Sequence, residues 1–246
     1  MNAQDNWVRR VMTVASFPGL KAELQDASRN LGFDHFVHRA RFPTLRTGFD
    51  EICLDNCPAA WRRYYLKERV TTESDPLRSR AMQQATPILW REVFPSNEPL
   101  RTKAAEFGFG TGVIFPVHGP AGQWTALTLI KKNAGVDAEL AILSAMPEAH
   151  LLAVYAHEAG ARILRRRMRN EVPVSQPLPG HALSTREREC LVLAANGKTA
   201  VEIGKLLSIT ERTVGFHLGN ARLKLGTVSS QHAVIRAVSL GLIAAG

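Results

Sequence analysis

Long apolar runs are missing from this chain. No stretch reaches the roughly eighteen consecutive apolar residues that a membrane helix needs, and the first twenty positions carry Asp5, Arg9 and Arg10 instead of the continuous apolar centre of a secretory leader. A helical membrane protein is thereby excluded, and the expected location is the cytoplasm. Cysteine is scarce as well: Cys53, Cys57 and Cys190 are too few and too scattered for a disulfide framework. Cys53 and Cys57 with His35 and His38 match no ordinary zinc spacing, so the thiols read as core or pocket groups, and neither metal nor cofactor is expected. Acidic residues are outnumbered, 22 against 31 Lys and Arg, and the formal charge of +9 suits a nucleic-acid partner.

Signatures of turnover are equally absent. No serine or cysteine stands in a recognised nucleophile context. Asp55 followed by Pro58 hints at a phosphoacceptor, but no acidic pair precedes it as a receiver domain requires. Gly108, Gly110 and Gly112 hint at a phosphate cradle, but a strand pattern follows where a helix N-terminus is needed. Binding is therefore the expected task.

What is present is clearest at the C-terminal end. Ser184 with Glu187, then Thr199 with Glu202, form two capping boxes in tandem, each marking a helix start. Leu191, Leu193 and Ala194 give the first helix an apolar stripe, and Gly197 after Asn196 supplies its end. Ile203, Leu206 and Leu207 form the buried face of a second helix. Ser208, Ile209 and Thr210 make a turn, and Thr210 caps a third helix to about Leu225 with Val214, Leu218 and Leu225 inward. A last apolar stretch, Ala233 to Ile243, completes a four-helix unit over 183–246 that reads as a helix-turn-helix DNA-binding domain. From Leu183 onward eight Lys or Arg face four acids, an excess that phosphate binding requires.

Upstream, Pro173, Pro177, Pro179 and Gly180 make 170–182 an extended linker. Residues 1–169 then form the other domain. Helix is expected at Pro18–Leu31, Pro58–Glu68 and Pro99–Phe107, and strand at Phe33–Phe42, Phe49–Leu54, Val113–His118 and Trp124–Lys131, the last two joined by a turn at Gly119–Gly122. Asp137 is read as the cap of a long helix ending in Arg162, Arg165, Arg166, Arg167 and Arg169, a cluster that reads as a solvated helix end or a supplementary phosphate contact. The fold class is α+β: an α-β-α sandwich around an antiparallel sheet, followed by the all-α helix-turn-helix domain.

The segments Leu183–Glu189, Asn196–Thr199, Glu202–Gly204, Leu206–Val214, Phe216–His217 and Lys224–Gly226 resemble the DNA-binding domain of LuxR-type transcription regulators. Trp61, Tyr65, the Asp75–Pro76 pair, Trp90 and Gly112 are similar, in order and spacing, to the residues of the acyl-homoserine-lactone-binding domain in that family. The resemblance implies a quorum-sensing receptor that binds an acyl-homoserine-lactone-type signal, dimerises with a second copy, and occupies promoter DNA at near-palindromic half-sites. It implies a cavity in which Trp61 donates to the lactone carbonyl, Asp75 accepts the amide N–H, Tyr65 and Thr128 donate to the acyl carbonyl, and Trp90 walls the ring, with Cys57, Leu77 and Gly112 alongside. The alternative for Asp75 and Tyr65 is a plain turn and core filling. On the third C-terminal helix, Arg212, Phe216 and Asn220 would read bases, and Thr213, His217 and Lys224 would position phosphates. Phe216 as a core residue is the competing assignment. Asp137–Arg169 and Ala233–Ile243 are the candidate dimer surfaces.

Three departures from the family pattern stand out. Cys57 replaces an aromatic residue beside the head group. His38–Arg39–Ala40 occupies a strand where relatives keep a small residue near the acyl chain, and alternation turns one of His38 and Arg39 inward. Gly215 and Gly219 lie on the DNA-reading face. A regulator of the same fold that has lost or changed signal sensing is the alternative function; a lactonase or acylase ranks below both.

Overall fold

A computed structural model of the chain describes residues 3–44, 48–67, 75–94, 99–170, 183–239 and 241–243. Two compact units result, the first built mainly from residues up to Arg167 and the second from Met168 onward. The expected linker, beyond Asn170, lies outside the described residues.

In chain order the first unit contains α1 (Ala3–Thr13), α2 (Phe17–Asn30), β1 (His35–Thr44), β2 (Gly48–Asp55), α3 (Ala59–Lys67), α4 (Pro76–Ala81), β3 (Ile88–Leu89), α5 (Trp90–Val93), α6 (Pro99–Glu106), β4 (Thr111–His118), a short 3-10 turn (Pro120–Gly122), β5 (Trp124–Lys131) and α7 (Val136–Asn170). The strands form one sheet in the order β2-β1-β5-β4-β3. Ser16 caps α2 with its hydroxyl on the Gly19 N–H, and Pro18 lies in the first turn, where its missing N–H costs nothing. α1 carried no start signal in the sequence; it is held by burial of Trp7 and Val11. α7 starts one residue before Asp137, which therefore stands in the first turn and favours the helix through the macrodipole without capping it.

Register decides which residues meet. Arg39 lies opposite Ala126, Val37 opposite Thr128, and Thr128 in turn opposite Ile114, so these side chains share one face. Phe36, His38 and Ala40 face the other way with Leu129, Leu127 and Thr125. That second face is covered by α7, whose His157 bonds Thr125 Oγ1 at 2.9 Å and whose His150 packs on Phe115. Two arginines of the basic end of α7 are engaged within the unit: Arg162 donates to Val11 and Val14 carbonyls and Arg167 lies over the Phe17 ring.

The second unit contains α8 (Thr185–Ala195), α9 (Ala200–Leu207), α10 (Glu211–Leu225) and α11 (Ser230–Ser239). Both capping boxes form, and Thr210 caps α10 on the Thr213 N–H. Ser208 ends α9 with φ 56°, the left-handed conformation that turns the chain toward α10. Gly204 is required there because a Cβ would lie 2.8 Å from the Ile209 carbonyl oxygen. Cys190, Ile203 and Val214 form one core; Leu191, Ala221, Leu225, Ala233 and Ala237 form another. Two expectations are corrected. Leu206 is 59% exposed, since only Ile203 and the half-buried Leu207 turn inward on so short a helix. The last helix occupies Ser230–Ser239, and Gly241 at φ 65° turns the chain before Ile243 returns to the core.

His38 is fully buried, and neither ring nitrogen has a hydrogen-bond partner among the described residues. Burial, with His157 nearby, pushes its imidazole down to about 4. The unfolded chain therefore takes up a proton near pH 6.5 that the folded chain refuses, and stability falls as pH drops from 6.5 toward 4, by up to about 1.4 kcal/mol per pH unit. Urea unfolding at pH 6.5 and 5.0 should show this loss, with His38→Leu flattening the dependence to the residue left by His157, which burial also lowers. An unaltered slope in the variant would contradict it.

Candidate functional site

The sheet face that carries Val37, Arg39, Ala126, Thr128, Ile130 and Ile114 is roofed by α3 to α6, and a cavity lies between them. Trp61, Tyr65, Asp75, Leu77, Trp90 and Thr128 all line it. Cys57 instead borders an adjoining cavity that shares Val37, Arg39, Trp61 and Tyr65. Gly112 lies beneath the wall: a Cβ there would stand 2.8 Å from Trp90 Cε2 and 2.7 Å from the Leu129 oxygen, so glycine lets the indole lie flat on β4.

Asp75 organises the roof. Its Oδ1 accepts the Leu77 and Arg78 N–H groups, capping α4, and its Oδ2 accepts the Tyr65 hydroxyl at 2.6 Å. The carboxylate has about four acceptor positions, so Oδ2 retains one. Asp75 thus forms a helix cap as well as a cavity wall, and the Tyr65 hydroxyl, expected on an acyl carbonyl, is given to Asp75. Burial first, and Asp75 next, push the Tyr65 phenol well above its usual value, so it remains a donor. Trp61 packs on Tyr65, Phe107 and Phe109. Trp90 Nε1 is buried and has no partner among the described residues, a donor that the sequence reading treated only as wall. Cys57 is a buried thiol, pushed up to about 12 by burial, and its N–H is held by Asp55.

Both members of the His38–Arg39 pair turn out to be covered, because both faces of β1 are packed: His38 against α7, Arg39 toward the cavity. Arg78, Phe94, Phe109 and Trp124 complete the lining. Alternation along β5 from Thr128 would have pointed to Trp124; the others are brought in by tertiary folding. Trp124 Nε1 donates to the Ala81 carbonyl and so ties α4 to the sheet.

On α10, Arg212 is exposed and Phe216 is 63% exposed, which settles the question of core packing against it. Thr213, His217 and Asn220 are half-buried. Nothing lies within 4 Å of a Cβ added at Gly215, so that face is open. The Thr213 hydroxyl pairs with that of Thr210 at 2.8 Å. Lys224, expected as a phosphate contact, is half-buried and already engaged: its Nζ bonds the carboxylate of Glu187, 4% exposed, at 2.8 Å. Burial acts to raise the Glu187 carboxyl, but the Lys224 and Ser184 hydrogen bonds outweigh it and hold it below its ordinary value.

Residues 17–160 match the family model of the autoinducer binding domain, and residues 181–237 match that of bacterial regulatory proteins of the luxR family. The chain belongs to the LuxR family. Among its relatives, the transcriptional activator AhyR of Aeromonas hydrophila is 31% identical over 87% of this chain and 81% of its own. The quorum sensing-dependent transcriptional regulator RpaR of Rhodopseudomonas palustris is 33% identical over 92% and 89%. The crystal structure of Escherichia coli SdiA superposes with a TM-score of 0.70 at 25% identity, covering 98% of this chain and 97% of that one. This LuxR-family chain is accordingly a transcription regulator with an autoinducer-binding domain and a helix-turn-helix DNA-binding domain. No helix among the described residues is long and apolar enough to cross a membrane.

Two outcomes follow for this regulator. Lys224→Met should lower stability by about 1–3 kcal/mol, because a buried carboxylate loses its partner, while leaving the salt dependence of DNA binding unchanged; a slope reduced by about one would restore Lys224 to the phosphate contacts. Gly112→Ala should cost about 1–3 kcal/mol in chemical denaturation by displacing Trp90; a neutral substitution would show that the indole is not seated on β4.

Proposed function

We propose that the cavity of the first unit binds an acyl-homoserine-lactone-type signal and that ligand binding governs promoter occupancy by the second. The observation that carries this reading is the gathering of unfilled polar valences on one apolar cavity: a remaining acceptor position on Asp75 Oδ2, the buried Trp90 Nε1–H, the Trp61 indole and the Thr128 hydroxyl. Such a lactone presents the complement, one amide N–H and two carbonyls, and a closed site must satisfy each buried polar atom or lose about 1–3 kcal/mol for it. The amide N–H would go to Asp75, the ring carbonyl to an indole N–H and the acyl carbonyl to Thr128, with Trp90 and Leu77 enclosing the ring and Cys57 leaving room in the adjoining cavity. The curated relatives named as quorum-sensing or transcriptional activators support the same assignment.

On DNA, Arg212 and Phe216 would meet base edges, with Asn220 beside them and Thr213 and His217 on the backbone. The protein would act in the cytoplasm as a homodimer on near-palindromic half-sites and turn over no substrate. The dimer is supported by an apolar stripe on α7, where Val136, Leu140, Leu143, Leu151 and Val154 are exposed at helical spacing along one face.

Asp75→Asn tests the grip. The amide keeps the shape but places a donor or a weaker acceptor where the ligand N–H must bind, so lactone affinity should fall about tenfold or more, read as a lost thermal shift across an acyl-homoserine-lactone panel. A wild-type protein that no lactone stabilises, yet which binds DNA as a soluble dimer, would favour a regulator that has lost this sensing.

A further inference from the structure

Arg39 brings a cation onto the ligand face of the sheet. It stands opposite the small Ala126, and its guanidinium carbon lies 4.8 Å from the Tyr65 ring centroid. It borders both neighbouring cavities, at the point where the polar residues Asp75, Trp90 and Thr128 give way to Cys53, Cys57 and Leu66. The carboxylates of these walls, and Glu51 of a third pocket that Arg39 also lines, are engaged by other groups. Asp75 holds the α4 N-terminus and Tyr65, Asp55 holds the Cys57 N–H and lies 3.4 Å from Arg62, and Glu51 lies 3.3 Å from Arg78. Arg39 is half-buried, stacks on Tyr65, and among the described residues has no hydrogen-bond or ion-pair partner. A place over a ring face satisfies none of the guanidinium's N–H donors, so its N–H edge remains available for an acceptor. A plain alkyl tail laid along this wall would cover that edge with hydrocarbon and leave the charge without compensation.

The geometry points to a signal whose acyl group carries a carboxylate, received in bidentate fashion by Arg39 where the two cavities meet. This assignment rests on the reading of the cavity as a lactone site and adds the chemical class of the acyl part. It makes Arg39 a specificity-determining residue: Arg39 selects the tail, while Asp75 and the indoles hold the head.

Calorimetric titration of the full-length protein with two homoserine lactones of equal chain length, one with a methyl-terminated and one with a carboxylate-terminated acyl group, tests this. Wild type should bind the carboxylate form about tenfold or more tightly than the methyl form. Arg39→Leu should reverse the order, and Arg39→Lys, which keeps the charge without the fork, should fall between. Equal or tighter binding of the methyl form, unchanged by Arg39→Leu, would overturn the assignment and leave the lactone site standing. Binding of neither lactone by the wild type would overturn the lactone site and the Arg39 assignment together.

Discussion

The carboxylate of Asp75 is the constraint on which the sensing half depends. One of its oxygens closes the N-terminus of α4, the other holds the Tyr65 hydroxyl of α3, and so the two helices are fixed over the same sheet face. Trp124 completes the arrangement by donating to the last residue of α4. These bonds set the depth of the cavity and the pose of Trp61, which packs among Tyr65, Phe107 and Phe109. A carboxylate is suited to this because it can satisfy the protein and still keep an acceptor position for a ligand N–H. Under the proposed function, signal recognition and local folding would draw on one group.

The same economy appears in the DNA-binding half. Glu187 closes the first capping box and also receives Lys224 from α10, so a helix start is tied to a helix thirty-seven positions later. The consequence is a rigid frame that presents Arg212 and Phe216 outward while both recognition-face glycines leave space around them. Under the proposed mechanism the ligand adds favourable contacts to the folded receptor alone, which at a hundredfold excess over its dissociation constant amounts to about 2.7 kcal/mol. That is a large share of the stability of an ordinary domain.

Local signals were legible in the sequence wherever a short-range bond carries them. Ser184 with Glu187, Thr199 with Glu202 and the turn at Ser208–Thr210 predict elements that form as expected, and the strand expected at Trp124–Lys131 beside the Gly119–Gly122 turn forms over those residues. Elements lacking such signals were not legible. α1 is stabilised by burial of Trp7 and Val11, α4 hides behind an Asp–Pro pair that reads as a turn, and β3 is two residues long. Side-chain partners remote in sequence were not legible for the same reason: the bond of Lys224 to Glu187 spans thirty-seven positions, and the acceptor of the Tyr65 hydroxyl lies ten positions on. That Trp61 and Trp90 line one cavity was legible only through the family resemblance; the arginine beside them was legible only as an anomaly, and its orientation required the register of β1 on β5.

The central claim is that indole N–H groups and the Asp75 carboxylate hold the polar head of a lactone. The four tryptophans allow a direct measurement, because each indole N–H gives its own resonance in protein labelled with ¹⁵N-tryptophan. Titration with an acyl-homoserine lactone should shift the Trp61 and Trp90 signals and leave Trp7, packed on Tyr155 of α7 away from the cavity, in place. Shifts confined to Trp7 or Trp124, or none at saturating lactone, would contradict the account.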